Sequence, residues 1–580
     1  MKNLLSRSNR SSTGYALVMV MIFLGISLVI LAGALKWTAT TSLVTQRHNQ
    51  YTSTVAAAEA ATEAVIARMT RDFQYQGVNT NLSAYSLLTP GAFVTNGWAD
   101  HYEFSDGQGN SNRTFVTSTG PSAVTNLNSE FAGLYGLVSP YRVVSNAREK
   151  NTPYEIVAGV KQDFQLALIP IFQFAIFYTI DLEINPGPAM IVTGKVHGNS
   201  DLYVAPVNGL QFNDSVTAVG NIYTHRNPED PQAAFSTQVP PVYLAQHKPH
   251  VSALTLPIGT NNTPDQVRRI LEVPPFNEDP RSPMGKQRYF NKSDLIVQVT
   301  DSGVGVETGQ WNGFASVPRD STNGYSFVRT NLSFFDTREN KWTLGTEIDV
   351  GALKSWMGSA GSSLNGLGVT KMGHPLNSVY VDDERSRPGR ITVVRVTNGR
   401  TLPPAGLTVS TRLPLYVLGH FNAPNTTPGL TDTSATLPSS LVGDAITVLS
   451  SNWSDASSNK SLGQRTAGNT SVNAAFLSGI VKSAASGGQK YYSGGVENFP
   501  RFVEDWSGKT LTYNGSMVVM FESQFGKAFW QEPGNYYNAP VRKWAFDLNF
   551  MDPRKLPPGT PMIEKLVRGQ WNVVAANTVN

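Results

Sequence analysis

The sequence predicts a mainly β protein carried on one long N-terminal α-helix, with the β part either solenoid-like or a β-sandwich. Three observations predict it. An uncharged apolar run near the N-terminus passes into an Ala- and Glu-rich stretch. Across the 580 residues Gly (50) and Pro (35) are plentiful and charged residues make up only 15%, a profile suited to short strands joined by turns. Between residues 190 and 225 short apolar pairs alternate with Gly, Asn, Asp and Ser.

Residues 1–14 form a polar leader with Lys2, Arg7 and Arg10 and no acid. From Tyr15 to Leu35 there is no charged residue. As a helix this run rises about 31 Å, enough to cross a bilayer core. The basic leader should then stay in the cytoplasm and the rest lie outside. A cleaved secretory signal and a plain signal anchor fit the hydropathy too, although KWTATTSLVTQ offers a poor small-x-small cleavage site. Beyond the apolar run, Val44, His48, Tyr51, Val55, Ala58, Thr62, Val65, Met69 and Phe73 recur at spacings of three and four. That is one face of an amphipathic helix. VAAAEAATEAVIARM is rich in strong helix formers, and no proline occurs before Pro90. The helix is therefore expected to run from Tyr15 to Phe73, about 90 Å. Its stripe can pack on the following domain, bundle with other helices, or both.

The junction Gly14–Tyr15 is the feature that singles out a family. A short basic leader ends in Gly14, an aromatic residue follows, and the apolar run begins there. This resembles the cleavage site of type IV pilin-like proteins, and the resemblance implies cutting between Gly14 and Tyr15. GYALVMVMIFLGISLVILA with AAAEAATEA, which carries Glu59 and Glu63, is similar to the PilX-type N-terminal region of pilus-assembly proteins over about the first 75 residues. The fifth residue after the cut would be Met19, where major pilins carry Glu. The resemblance thus implies a minor component of a type IV pilus or related secretion system. It would be single-pass in a bacterial inner membrane through residues 15–35, with other pilin-like helices or pilus-assembly proteins as partners. Glu497–Trp506, Gly515, Ser516 and Tyr537–Pro558 look similar to C-terminal regions of bacterial pilus-type surface proteins. That likeness brings no activity and assigns no catalytic residue.

The rest divides by texture. Residues 76–140 read as a connector with a few short strands. A β-rich segment, 141–225, opens with YRVVSNA and YEIVAGVKQDFQLAL, whose inward residues are expected to be Tyr141, Val143, Tyr154, Ile156 and Val160. Ile169 to Ile184 reads as buried strands ending at NPGP. Ile191/Val192, Val196, Leu202/Val204, Leu210/Phe212, Val216 and Ile222 suggest successive sides of a solenoid, without a strict repeat length; β-meander hairpins are the alternative. Residues 226–410, with Pro-rich stretches, read as an insertion or a second β-rich domain. TPDQVRRILEV, capped by Thr263 or Asp265, and GALKSWM are short helix candidates, and VYVDDERSRPGRITVVRV a hairpin candidate. Short strands return over 411–580, so 140–225 and 410–525 are expected to share one β-domain, closed by a terminal cap.

The residues offer little chemistry. There is no cysteine, hence no disulfide, thiolate site or thiol nucleophile. A formal net charge of +4, scattered along the chain, argues against nucleic-acid binding. No H-E-x-x-H, G-x-S-x-G or P-loop pattern occurs. His247 and His250 flank Pro249, which disfavours a helical metal pair; His197 and His420 read as turn histidines. Asp382, Asp383 and Glu384, followed by Arg385, Arg387 and Arg390, read as a solvated, salt-linked turn. Calcium at this cluster, at Asp505 or at Asp552 lacks a loop pattern. Glu497, Arg501, Glu504 and Asp505 lie among Phe499, Phe502 and Trp506, as in a catalytic cleft with a sugar platform or, the favoured reading, a cap over an exposed solenoid end. The expectation is a structural or assembly component without catalytic residues, cofactor or metal, displaying a β-domain that contacts surface glycans. The alternatives are an anchored polysaccharide-binding or polysaccharide-degrading protein and a simple envelope scaffold.

Overall fold

The computed structural model describes residues 13–75, 78, 81–91, 97–127, 131–234, 238–320, 324–358, 362–424, 431–486, 489–530 and 534–577. The basic leader residues Lys2, Arg7 and Arg10 lie outside the described residues. One helix, Thr13–Tyr75, opens the chain, and strands dominate the rest of it.

The helix changes character at Gln50. Before it every described side chain is exposed, including Val44 and His48; after it one stripe is buried. Gln50 marks the border because its Nε2 donates to Thr152 Oγ1 (2.7 Å) and to the Tyr154 carbonyl (3.1 Å), at the tip of a β-hairpin. From there Ala57, Ala58 and Ala61 pack against Tyr102, Phe104, Ala147 and Val160. Further along, Val65, Ile66 and Met69 pack against Val116, Val143, Phe164 and Leu166. Small residues come first, so the helix approaches the sheet closely at that end. The expected stripe is thus correct from Val55 onward, while Val44, His48 and Tyr51 lie beyond the sheet.

The sheet beneath the helix is antiparallel. Its path runs Tyr102–Ser105, Tyr135–Glu149, Val157–Pro170 and Met562–Val574. The last strand comes from the end of the chain, and its Arg568 forks onto Glu63 of the helix (2.8 Å to Oε2). Val143 and Val160 are buried and Tyr141 is half-buried. Tyr154 and Ile156 are not inward strand residues: they occupy the hairpin turn, where Arg47 lies 4.7 Å over the Tyr154 ring.

The remainder is a three-faced, solenoid-like stack of mostly parallel strands, with antiparallel pairs such as Leu295–Thr300 with Gly303–Thr308 and Val328–Leu332 with Lys341–Asp349. The first face is an 11-stranded sheet. In its first run, Ile176–Tyr178, Val196–Gly198 and Val216–Ala218 pair in parallel with a 20-residue offset, as His197 to Thr217 shows. Leu182–Ile184, Leu202–Val204 and Ile222–Tyr223 form the second face, and Met190–Val192, Leu210–Phe212 and Val242–Tyr243 the third. The first coils therefore do keep a fixed repeat, hidden because only two or three residues per side point inward. Ile169 to Ile184 contributes strands, as read, around a short 3-10 turn at Ile171–Gln173.

The coils do not stack in chain order. The first run climbs from Ile176–Tyr178 to His247–Lys248. The chain then reappears at the opposite end, at Leu295–Thr300, and coils back through Ser378–Asp383, Leu407–Ser410, Ser439–Val442 and Ala475–Ile480. Met517–Glu522 finally pairs in parallel with Ile176–Tyr178. Strands from within 226–410 thus lie in the same sheet as those from 141–225 and 411–580. VYVDDERSRPGRITVVRV is not a hairpin: Ser378–Asp383 and Arg390–Thr397 belong to two different faces, each pairing in parallel with other coils. The helix candidates form as Pro264–Arg268, after Thr263, and Val350–Gly358. Thr263 takes the N-cap position without a side-chain capping bond.

Candidate anchoring helix and buried carboxyl cluster

Two parts of the molecule have the composition of functional sites: the protruding helix and a group of buried carboxyls. Tyr15, Phe23 and Trp37 are 84%, 63% and 72% exposed. Burying such side chains yields roughly 25 cal/mol per Å² of apolar surface, so their exposure calls for an apolar environment. Among the described residues this is the one helix long and apolar enough to cross a membrane. Gly14 falls in its first turn and Tyr15 follows, fully accessible. Met19 lies on the same naked surface. Thr38, Thr40 and Thr45 each donate to the carbonyl four residues back, which satisfies their hydroxyls without water.

The carboxyls gather on the outer side of Leu182–Ile184. Leu182 and Ile184 point into the solenoid, so Glu183 points out, yet Asn227 and Ser483 cover it. Ser483 Oγ donates to Glu183 (2.5 Å) and the Asn185 N–H to Glu497 Oε2 (3.2 Å). The ion pair Arg226–Asp230 (2.7 Å) is buried beside them. Burial, then repulsion from Asp230, Asp181 and Glu497, pushes Glu183 up to about 8. Burial pushes Glu497 up to about 7. Glu497 lines a surface groove and Glu183 does not, so these two acids do not face one another across that cleft.

This cluster makes stability depend on pH. Between the ordinary carboxyl value of 4.5 and about 8, folded Glu183 holds a proton that the unfolded chain releases. Stability is therefore fullest on the acid side and falls as pH rises through that window; Glu497, Glu504 (about 7) and Glu564 (about 8) add the same sign. His197, pushed down to about 4 by burial, opposes it only below 6.5. The melting temperature should drop between pH 6.5 and 8.5, and less so in Glu183→Gln. Equal melting at both pH values in the wild type would refute this.

Several sequence readings change here. His197 is a core strand residue, not a turn histidine: Nδ1 meets Thr217 Oγ1 (2.8 Å), Nε2 meets Asn199 Oδ1 (2.9 Å), and the ring stacks on Phe177. His420 does sit beside a bend, where its Nδ1 accepts from the Ser471 N–H (3.1 Å). His247 stacks on Tyr243, and His250 takes a left-handed backbone conformation (φ 59°). Asp382 and Asp383 are not solvated: both are buried strand residues, paired with Arg412 (2.6 Å) and Arg385 (2.6 Å), and only Glu384 reaches solvent. Asp505 accepts from Asn538 Nδ2 (2.8 Å) and Asp552 pairs with Arg554 (2.8 Å). Among the described residues no three His, Asp or Glu side chains converge as a metal site. VENFPRFVEDW is not an end cap. Arg501 continues the second face by a parallel bridge to Thr447, and Asp505 bridges Thr466 and Asn538, so the segment is part of the coil wall with Phe499, Phe502 and Trp506 inside.

The chain matches no protein-family model and no curated protein sequence. Among solved structures, the competence-associated pilin ComZ from Thermus thermophilus aligns with 90% of this chain and 97% of that one, at 11% identity and a TM-score of 0.30. A TM-score this low assigns neither fold nor function.

Proposed function

We propose that this chain is a minor pilin-like component of a type IV pilus or related secretion system, anchored in the bacterial inner membrane and displaying the solenoid-like domain outside it. The observation that carries this reading is the division of one continuous helix at Gln50. Its first part is uncharged from Tyr15 to Leu35 and unburied, while its second part is clamped to the antiparallel sheet. A helix built in this way holds a folded head at a set distance from an apolar medium. The same naked surface serves in a bilayer and in a bundle of similar helices. Met19 stands where major pilins carry Glu, which suits a minor component. We place the structural role ahead of catalysis because Glu183, Glu497 and Glu504 each accept a hydrogen bond from within the fold.

The test is the mature N-terminus. In cells with an active prepilin peptidase, mass spectrometry should find a chain beginning at Tyr15. Gly14→Val should yield a species heavier by the leader. A wild-type chain that keeps its leader beside a working peptidase would remove the pilin reading, leaving a plain signal anchor.

A further inference from the structure

The last strand, Met562–Val574, borders a cavity between the helix and the solenoid-like stack. Glu564 donates its backbone N–H to the Thr255 carbonyl (2.7 Å) in an isolated antiparallel bridge. In that register Ala253 and Ser252 would next oppose Leu566 and Val567, but among the described residues the ladder does not continue. The two segments part around a cavity of about 410 Å³, bounded on a third side by Thr70, Phe73 and Gln74 of the helix.

Side chains along a strand alternate between its two faces. Leu566 packs beside Phe73, and Arg568 forks onto Glu63 (2.8 Å), so this face looks toward the helix. Glu564 shares it and lines the cavity. The side chain is only 4% exposed, yet its carboxyl makes no hydrogen bond or ion pair among the described residues, and its Oε2 is orphaned. Glu183, Glu497 and Glu504 differ, because each accepts a bond from within the fold. A buried polar group without a partner is costly and calls for one. The other charges at the cavity are already engaged. Arg568 is held by Glu63, and the Lys565 ammonium lies 4.9 Å over the Phe131 ring. The helix contributes Thr70, Phe73 and Gln74 and the facing segment Ser252, none of which titrates.

We propose that this cavity binds a primary alkylammonium ion, its nitrogen paired with Glu564 and its carbon chain against Phe73 and Leu566. An ammonium supplies several donors and the one charge that the carboxylate lacks. The Lys565–Phe131 contact shows that an ammonium sits well beside an aromatic ring at this cavity. A calcium or magnesium ion needs about six oxygen ligands, and Glu564 is the one carboxyl in the lining. A neutral alcohol of the same shape would gain no ion pair. A free amine and the lysine side chain of a partner offer the same chemistry. Binding here does not depend on the anchoring role of the helix.

The test uses the full chain in non-ionic detergent and saturation-transfer NMR with n-butylamine, which reproduces the end of a lysine side chain. The control ligand is 1-butanol, and the Glu564→Gln protein in the same detergent corrects for partition into micelles. Saturable binding of the amine is expected, lost in Glu564→Gln. That variant should melt no lower than the wild type, since the carboxyl makes no bond in the free chain. Ala253→Trp, on the exposed rim, should block the cavity and leave melting unchanged. Burial pushes Glu564 up to about 8, so its carboxyl is mostly protonated at pH 6.5 and mostly ionised at pH 9, while an amine like that of lysine, at about 10.4, stays charged. The amine should therefore bind at least about tenfold more tightly at pH 9 than at pH 6.5. An acetyl-Gly-Lys-Gly-amide peptide that binds as well as butylamine would identify a partner's lysine as the source, and weaker binding a free amine. Equal binding of 1-butanol, binding retained in Glu564→Gln, or an affinity that does not rise with pH overturns the proposal. So does the absence of saturable binding, which would leave solvent alone beside Glu564. Should Ala253→Trp fail to fold, Glu564→Gln and the pH series decide.

Discussion

Asp444→Ala should destabilise the head more than any other substitution named above, lowering stability by about 3–5 kcal/mol. Asp444 is fully buried in the turn between Ser439–Val442 and Ile446–Leu449. Its carboxylate accepts from the backbone N–H groups of Gln524 (2.7 Å), Phe525 (2.8 Å) and Gly526 (2.8 Å), and from Arg268 Nη2 (3.1 Å). Three parts of the chain thus meet on one side chain: a turn of one coil, the exit of Met517–Glu522 and the helix Pro264–Arg268. Alanine would strand three amide donors and take a carboxylate partner from a guanidinium that is itself buried. Arg268 would keep Glu272, the Arg412 carbonyl (3.2 Å) and the Phe525 ring (5.7 Å), none of which supplies an acceptor to the three stranded amides. A fall in melting temperature of about 3–5 °C is expected, at about 1 °C per kcal/mol for a chain of 580 residues. Replacing both charges, by Asp444→Asn with Arg268→Met, should recover part of the loss, since the charge left behind, Glu272, keeps a third of its side chain in solvent. A single alanine variant within about 1 kcal/mol of the wild type would show that the three amides find other acceptors.

The second large effect concerns the helix. Removing residues 1–45 should convert the protein from one that needs detergent to one that is freely soluble, with no change in the melting of the head. The reason is that no described side chain before Gln50 is buried; Arg47, over Tyr154, is retained in this truncation. Removing residues 1–61 instead deletes Thr54, Ala57, Ala58 and Ala61 and the Gln50 bonds. It uncovers Tyr102, Phe104 and Val160 and should cost at least about 3 kcal/mol, near 0.8 kcal/mol for each buried methylene equivalent. Flotation with vesicles and thermal melting of both truncations would check this. A head destabilised by the shorter cut would mean that the naked helix contributes to its folding.

The helix and the β character of the head were legible in the chain because both depend on local patterns. Val65 and Met69 recur at four residues and stay on one face wherever the helix packs. Leu202/Val204 and Leu210/Phe212, separated by turn residues, must be short strands in any arrangement. The Gly14–Tyr15 junction is likewise a local feature. The buried chemistry was not legible. Asp444 is one aspartate among many until Arg268, 176 residues away, and the loop at 524–526 are brought to it. Asp382 and Asp383 look like a solvated turn beside three arginines, because burial is decided by the coils stacked on either side.

What the sequence alone determined is therefore the long helix and the strand character of the head. Which strands became neighbours was decided only in three dimensions. Met517–Glu522 lies on Ile176–Tyr178, and Met562–Val574 returns to Val157–Pro170. The physical reason is that every inward side of such a coil carries the same few apolar residues. Periodicity identifies a side, and only complementary packing between distant segments sets the order in which the sides are stacked.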